Sequence, residues 1–245
     1  MTAGFPLLGD FRRRKHQRFA PMKRSGYVII EGNIGVGKST FAQALANAIK
    51  AQGCAAEYLP EPDDKTNPFL DKYYEDPARH AYSMQMHLLN ARFASTRYAQ
   101  AGALVDRGWF ILDRSYYGDI CFANVQSKAA YFTPWECESY LKAHRNMREF
   151  IEPPTAAIFL CAPPEICKQR IDKRARPCET GKKPISVAYL VALDEEIGKL
   201  ERVLDARCRV MHMPWHLELT NEQIESQARA VADALLLHDD GDWDF

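Results

Sequence analysis

The most constraining feature of this 245-residue chain is a glycine-rich motif, Gly32 to Ser39, which fits the pattern G-x-x-x-x-G-K-[ST]. The residues before it, 27–31, are mostly apolar and typical of a buried strand, and residues 40–52 have the apolar spacing of a helix. A strand–loop–helix unit of this kind turns backbone N–H groups toward phosphate oxygens at a helix N-terminus. The motif therefore predicts an α/β fold with a nucleoside triphosphate site.

The motif predicts specific roles for two of its side chains. Lys38 should reach the β- and γ-phosphates, and the Ser39 hydroxyl should coordinate Mg²⁺. The predicted phosphate-binding residues are the motif and the residue after it: Gly32, Asn33, Ile34, Gly35, Val36, Gly37, Lys38, Ser39 and Thr40.

Composition limits the class of protein. The length suits one α/β domain, and no apolar run approaches the length of a membrane span. The seven cysteines are scattered and form no C-x-x-C pair, which favours reduced thiols in an intracellular enzyme over a disulfide framework or a zinc site. We therefore expect a cytoplasmic protein that binds no membrane.

The first 24 residues differ from the rest of the chain. Residues 1–24 hold seven Lys and Arg against one Asp, whereas the remainder is mildly acidic. This basic leader could be a disordered tail, a nucleic-acid or nuclear-targeting patch, or an organelle transit peptide. We interpret it as a disordered tail before one domain that spans residues 25–245. Nothing in that domain suggests a nucleic-acid partner.

Short apolar segments alternate with longer helical patterns along the domain, which predicts a parallel sheet with helices on both faces. The carboxyl ends of parallel strands meet at one edge of a sheet. We therefore expect the glycine-rich motif, Glu61 and the pair Asp113-Arg114 to lie in one crevice. The predicted strands are 27–31, 55–59, 109–112, 156–161 and 209–213, and the later helices are 78–100, 133–150, 164–174, 186–204 and 221–237.

The residues at those strand ends suit phosphoryl transfer, which requires positioning, charge neutralisation and a group that orients the nucleophile. Glu61 could be a general base or a surface carboxylate in a turn. Asp113 is placed to hold Mg²⁺, and Arg114 could neutralise developing charge or anchor Glu61. A charged segment further along the chain predicts a lid that closes on phosphates, through Arg170, Arg174 and Arg176.

Together these motifs resemble the deoxynucleoside kinase family over residues 26 to 215. The resemblance rests on the glycine-rich motif, Glu61-Pro62, Asp113-Arg114-Ser115 and the Arg-rich segment, in that order. Further matches are Asn67-Pro68-Phe69-Leu70, Tyr73-Tyr74 and the segment from Gln85 to Arg92. The resemblance implies a P-loop kinase fold with a five-stranded parallel sheet and an Arg-rich lid, a homodimer, and ATP-dependent phosphorylation of a deoxyribonucleoside 5′-hydroxyl.

The resemblance also implies roles for single residues. Glu61 would activate the 5′-hydroxyl, with Arg114 beside it, and Lys38 would act on the phosphates. Tyr74 and Glu179 match the pair that binds the sugar 3′-hydroxyl, and Gln85 matches the residue that contacts the base edge. Mg²⁺, bound with ATP, would lie near Ser39 and Asp113.

Arg92 and Asp119 bear on the choice of base. They match positions that form a pair in the cytidine- and purine-selective members of the family, and such a pair favours a ring edge with an amino group. The alternative is a buried salt bridge that only orders the pocket. We therefore expect deoxyadenosine, deoxycytidine or deoxyguanosine as substrate, with a thymidine or broad-specificity kinase as the alternative.

Two other classes of protein remain alternatives. Thymidylate kinases also combine a P-loop, a Glu-Pro and an Arg-rich lid, but they usually carry Asp-Arg-Tyr where this chain has Asp113-Arg114-Ser115. A kinase-like structural subunit without catalysis should have lost its phosphate or base residues. All of these residues are present here, which favours an enzyme.

Overall fold

The computed structural model of the chain describes residues 25–61, 67–176, 184–216 and 218–237. The basic leader, Glu179 and the distal part of the lid segment lie outside these residues. Five parallel strands form one sheet in the order β2-β3-β1-β4-β5. The strands are β1 (Gly26–Gly32), β2 (Ala56–Leu59), β3 (Trp109–Asp113), β4 (Ala156–Cys161) and β5 (Arg209–Pro214). The predicted five-stranded parallel sheet is thereby confirmed.

Helices cover both faces of the sheet. They are α1 (Lys38–Ala51), α2 (Leu70–Glu75), α3 (Pro77–Val105), α4 (Tyr116–Lys128), α5 (Pro134–Arg148), α6 (Pro164–Arg174), α7 (Val187–Asp205) and α8 (Asn221–Leu237). Within the described part of the chain, no helix is long and apolar enough to span a lipid bilayer.

The three central strands, β3, β1 and β4, are buried on both faces, so their alternate side chains enter two separate apolar layers. Ile29 and Phe159 point into the layer that contains α3, α4 and α7. Val28 and Ile158 point into the layer that contains α1 and α8. Because β1 lies in the centre of the sheet, the loop that follows it is held between these two layers.

Two helices, α2 and α4, were not predicted from the sequence. Helix α2 is only six residues long and therefore has little periodicity to detect. Helix α4 begins Tyr116-Tyr117-Gly118 and is buried on most sides, so it lacks the polar stripe of an amphipathic helix. The Ser115 side chain caps α4 by accepting hydrogen bonds from the Tyr117 and Gly118 amides. This cap fixes the helix directly after Asp113-Arg114.

Candidate active site

The carboxyl ends of β1, β2 and β3 surround a cavity of about 600 Å³. The glycine-rich loop, Glu61 and the pair Asp113-Arg114 all line it, so the predicted convergence of these three strand ends is present in the structure. The volume lies in the range of small-molecule sites. Its remaining wall is partly apolar and includes Leu70, Tyr73, Tyr74, Met84, Leu88, Phe122 and Tyr189.

The loop after β1 has the geometry of an anion site. Gly37 precedes α1 in a left-handed conformation (φ 111°), and no side chain in the described ranges caps this helix. The first amides of α1 and the positive end of its dipole are therefore available to an anion. The Lys38 ammonium donates to the Asn33 carbonyl (2.9 Å) and is buried. Burial and the nearby Arg114 lower the pKa of Lys38 to about 8, which a bound phosphate would oppose.

Two side chains tie this loop to neighbouring helices. The Asn33 amide donates to the Leu190 carbonyl in α7, and the Arg170 guanidinium donates to the Val36 carbonyl, both at 2.8 Å. Arg170 also lines the cavity, as do Arg174 and Arg176. The predicted lid arginines therefore lie next to the phosphate loop.

We predict that Gly35→Ala weakens this loop. Gly35 has φ 78°, and a Cβ at this position would lie 2.6 Å from the Cys167 carbonyl oxygen of α6. The substitution should reduce stability or triphosphate affinity by about 1–3 kcal/mol, which thermal unfolding and nucleotide titration would measure. Gly198→Ala is the matched control, because its Cβ would meet no atom closer than 3.9 Å. Equal behaviour of the two variants would contradict the prediction.

Ser39 and Asp113 form a candidate cation site. The Ser39 hydroxyl donates to Asp113 Oδ2 (2.5 Å), while Asp113 Oδ1 is buried and has no hydrogen-bond partner among the described residues. A hydroxyl and a carboxylate with an unused oxygen fit a hard divalent cation such as Mg²⁺. The Tyr58 hydroxyl lies 3.5 Å from Asp113 Oδ2. Tyr58 was not predicted as a site residue, although it lies near the end of β2, three residues before Glu61.

Glu61 is held between two guanidinium groups. Arg114 Nε donates to Glu61 Oε2 (3.1 Å), and Arg92 Nη2 donates to Glu61 Oε1 (2.5 Å). Burial raises the pKa of this carboxyl, but Arg114, Arg92 and the more distant Lys38 together lower it to about 2. Glu61 is therefore an ionised hydrogen-bond acceptor at neutral pH, and its side chain is 29% exposed toward the cavity.

Arg114 orients Glu61 from a constrained position. Its backbone has φ 67°, which is uncommon for a residue with a side chain, and its amide donates to the Ile30 carbonyl (3.1 Å). Its side chain also donates to the Gly32 carbonyl (3.0 Å) and lies 3.8 Å from the buried Glu31 carboxylate. The structure thus supports the anchoring alternative for Arg114, in direct contact with the phosphate loop.

Asp119 is the centre of a buried polar network. Arg92 Nη1 donates to Asp119 Oδ1 (2.6 Å), so the predicted pair forms in the structure. Gln85 Nε2 and the Tyr140 hydroxyl donate to Asp119 Oδ2, at 2.8 and 2.5 Å. Gln126 donates in turn to Gln85 Oε1 (3.1 Å). Gln85 and Asp119 are both 0% exposed, so in this structure they lie behind Arg92.

Tyr140 and Gln126 of this network were not predicted from the sequence. Neither belongs to a sequence motif: Tyr140 is a single residue within α5, and Gln126 lies in α4, which was not predicted from the sequence. Tyr74 lines the cavity where the sugar is expected, whereas its predicted partner Glu179 lies outside the described residues.

Comparisons with known proteins identify the chain's relatives. The sequence model of the deoxynucleoside kinase family matches residues 28–228. A deoxyadenosine kinase from Dictyostelium discoideum is 28% identical over 209 residues, which cover 85% of this chain and 80% of that protein. A probable deoxycytidine kinase from Fowlpox virus is 32% identical over 174 residues, which cover 70% of each.

The fold is also found in solved structures. The structure of deoxyadenosine kinase from M. mycoides with bound dATP matches with a TM-score of 0.68 and 22% identity. The match covers 84% of this chain and 98% of that protein. The family match spans all three strand ends that build the cavity, from the phosphate loop to Asp113-Arg114. The chain therefore belongs to the deoxynucleoside kinase family, whose members phosphorylate deoxyribonucleosides with a nucleoside triphosphate.

Proposed function

We propose that this kinase transfers the γ-phosphoryl group of ATP to the 5′-hydroxyl of deoxyadenosine, deoxycytidine or deoxyguanosine. The observation that carries the choice of base is the buried Arg92–Asp119 pair with Gln85 beside it. A carboxylate and an amide can pair with a ring edge that bears an amino group. Thymine has no amino group, and its 5-methyl would need an apolar space there.

The chain's own residues suggest how the reaction proceeds. Glu61 accepts the proton of the 5′-hydroxyl, while Arg114 fixes the orientation of the carboxylate. The loop amides and Lys38 stabilise negative charge on the transferred phosphoryl group, and Arg170, Arg174 and Arg176 add positive charge from the lid side. The reaction needs little covalent chemistry from the protein, so the positions of these groups account for most of the effect.

We propose Mg²⁺ as the cation that accompanies ATP. Ser39 and Asp113 would hold it, because Asp113 Oδ1 is buried without a partner in the described chain. When bound, Mg²⁺ neutralises charge on the β- and γ-phosphate oxygens. The described residues contain no cluster of three or more His, Cys, Asp or Glu side chains that could hold a metal ion by themselves. This is consistent with an ion that arrives with the nucleotide.

The direct test is initial-rate phosphorylation with ATP and Mg²⁺. Deoxyadenosine, deoxyguanosine, deoxycytidine, thymidine and thymidine monophosphate would be compared in parallel. We expect turnover of at least one amino-bearing nucleoside at a higher kcat/KM than thymidine. Preference for thymidine would contradict the proposed base selection, and preference for the monophosphate would contradict the proposed acceptor.

We predict that Asp119→Ala shifts the preference toward thymidine. The change removes the buried acceptor and leaves space beside the base. A hydrogen bond to a charged group contributes about 1.5–3 kcal/mol, so the kcat/KM ratio of thymidine to the preferred nucleoside should rise tenfold or more. The control is Asp106→Ala, since Asp106 is exposed at the end of α3. An unchanged ranking of substrates in Asp119→Ala would show that this pair does not select the base.

We also propose that the enzyme is a homodimer that associates through the outer face of α3 and α5. The two helices lie side by side, since the Tyr82 hydroxyl donates to Ser139 Oγ (3.0 Å). Trp135 is 79% exposed at the start of α5, and Phe150 is 61% exposed just beyond its end. We take the face of the helix pair that carries these two side chains as the association surface, since a contiguous exposed apolar patch marks such a site. Light scattering should show a dimer for the wild type and a monomer for Trp135→Glu; a monomeric wild type would refute the proposal.

A further inference from the structure

Arg92 joins two parts of the site that the reaction uses for different purposes. One terminal nitrogen, Nη1, donates to Asp119 in the base region, and the other, Nη2, donates to Glu61 at the reacting hydroxyl. The guanidinium lies 5.0 Å from the centre of the Phe122 ring, and the side chain is almost fully buried. Its Nε–H is buried without a hydrogen-bond partner in the part of the chain that is described. Arg92 is therefore fixed mainly by these two carboxylates.

A base has no open path to Asp119 in this structure. Its carboxylate already accepts from Arg92, Gln85 and Tyr140, and it is 0% exposed. Gln85 and Tyr140 are 0% and 1% exposed, whereas Arg92 lines the cavity. A base that enters from the cavity therefore meets Arg92 first. The most direct route for an amino group to the carboxylate is therefore one on which the Arg92 nitrogen moves aside.

A guanidinium group is planar and rigid, so its two terminal nitrogens move together. If the whole plane swings about the torsions of the Arg92 side chain, the shift of Nη1 away from Asp119 also moves Nη2 relative to Glu61. Glu61 would then remain bonded to Arg114, with Lys38 as the other nearby cation, and its Oε1 would be open to the 5′-hydroxyl. The groups that would control this carboxylate in the complex are thus Arg114 and the substrate.

We propose that Arg92 couples recognition of the base to the catalytic carboxylate. An amino-bearing base displaces Arg92 from Asp119, and the same movement releases Glu61 for its role as proton acceptor. This inference rests on the proposed function and gives Arg92 a positioning role in addition to its contact with the base. Its consequence is that the base amino group accelerates the chemical step as well as strengthening binding.

The test compares nucleosides that differ only in the amino group. Deoxyadenosine is paired with purine 2′-deoxyriboside, and deoxycytidine with 2-pyrimidinone 2′-deoxyriboside. Single-turnover rates at saturating nucleoside isolate the chemical step from binding and product release. For the wild type, we expect the amino-bearing member to react about five- to 150-fold faster, the usual range of coupling between two sites. Equal rates with different KM values would overturn the proposal.

Variants of Arg92 and Tyr140 test whether the coupling depends on Arg92. In Arg92→Met no side chain bridges the two carboxylates, so the two rates should become equal within about twofold. Arg92→Lys keeps the charge but lacks the planar fork, so it should also lose most of the rate ratio. Tyr140→Phe is the matched control: it removes another donor to Asp119 that has no contact with Glu61, and it should keep the wild-type ratio. A full ratio in Arg92→Met, or its loss in Tyr140→Phe, would contradict the proposal.

The rate ratios can be compared only between folded variants of an active enzyme. Because Arg92 is buried, its variants would first be compared with the wild type by thermal unfolding. If Arg92→Met does not fold, Arg92→Lys keeps the buried charge and provides the comparison, and a wild-type ratio near one would still overturn the proposal. Failure of the wild type to phosphorylate any deoxyribonucleoside is a separate result that would contradict the proposed function itself.

Discussion

Replacing Glu61 by glutamine is expected to lower kcat by about 10²- to 10⁴-fold, the usual contribution of a general base. Glutamine keeps the shape of the side chain but cannot accept the proton of the 5′-hydroxyl. Among the described residues, Glu61 makes no direct hydrogen bond to the phosphate loop, which is held by Asn33, Arg170 and Arg114. We therefore expect ATP affinity to stay within about threefold of the wild type, since a lower kcat with unchanged ATP affinity is the sign of a lost transition-state interaction.

The control for this experiment is Glu57→Gln in β2, the strand that precedes Glu61. Glu57 is exposed and accepts a hydrogen bond from the Tyr98 hydroxyl (3.1 Å), away from the cavity. Its substitution should leave kcat near the wild-type value. A wild-type kcat in Glu61→Gln, with normal ATP binding in both variants, would remove Glu61 from the catalytic role.

Replacing Arg114 by methionine is expected to reduce the free energy of unfolding by about 3–5 kcal/mol, in addition to impairing activity. Arg114 lies between Glu31 and Glu61, and Glu31 is 0% exposed. Burial already raises the pKa of Glu31, while Arg114 and a hydrogen bond from Ser115 oppose that shift. Without Arg114, the buried Glu31 carboxylate would keep the Ser115 hydrogen bond and the more distant charges of Arg92 and Lys38, but no ion pair within the described ranges.

The loss of stability in Arg114→Met should also depend on pH. A carboxyl whose pKa is higher in the folded than in the unfolded protein takes up a proton on folding. Its contribution to stability is therefore greatest at low pH and disappears as the pH rises through the folded-state pKa. Urea unfolding should show a smaller deficit relative to the wild type at pH 5.5 than at pH 8.

Two control variants separate the role of this site from a general effect of losing an arginine. Arg97→Met removes an exposed arginine that donates to the Phe150 carbonyl, and it should cost less than about 1 kcal/mol. Arg114→Lys keeps the charge and should restore part of the stability. A deficit below 1 kcal/mol in Arg114→Met, or one that does not change with pH, would show that Glu31 does not depend on Arg114.

Much of the architecture could be predicted from the sequence because its signals are local. Strand β4 and helices α6 and α8 were predicted with the bounds that the structure shows. Thr133-Pro134 also marked the start of α5, where Thr133 forms a capping box with Glu136. Helix α4 was missed because tertiary contacts bury most of its surface, and its sequence therefore shows no polar face. Periodicity detects only elements that meet water on one side.

Part of the candidate site was likewise predictable from local motifs, and part of it depends on tertiary packing. The sequence by itself determined the phosphate loop, the order of Glu61 and Asp113-Arg114 at neighbouring strand ends, and the family, since motif and chain order contain that information. Only the tertiary structure decided that Arg92 bridges Asp119 and Glu61, that Gln85 lies buried behind it, and that Tyr58 and Tyr140 join the site. These contacts join residues about 20 to 55 positions apart in the chain. Their geometry depends on how the helices pack on the sheet, which no local pattern records.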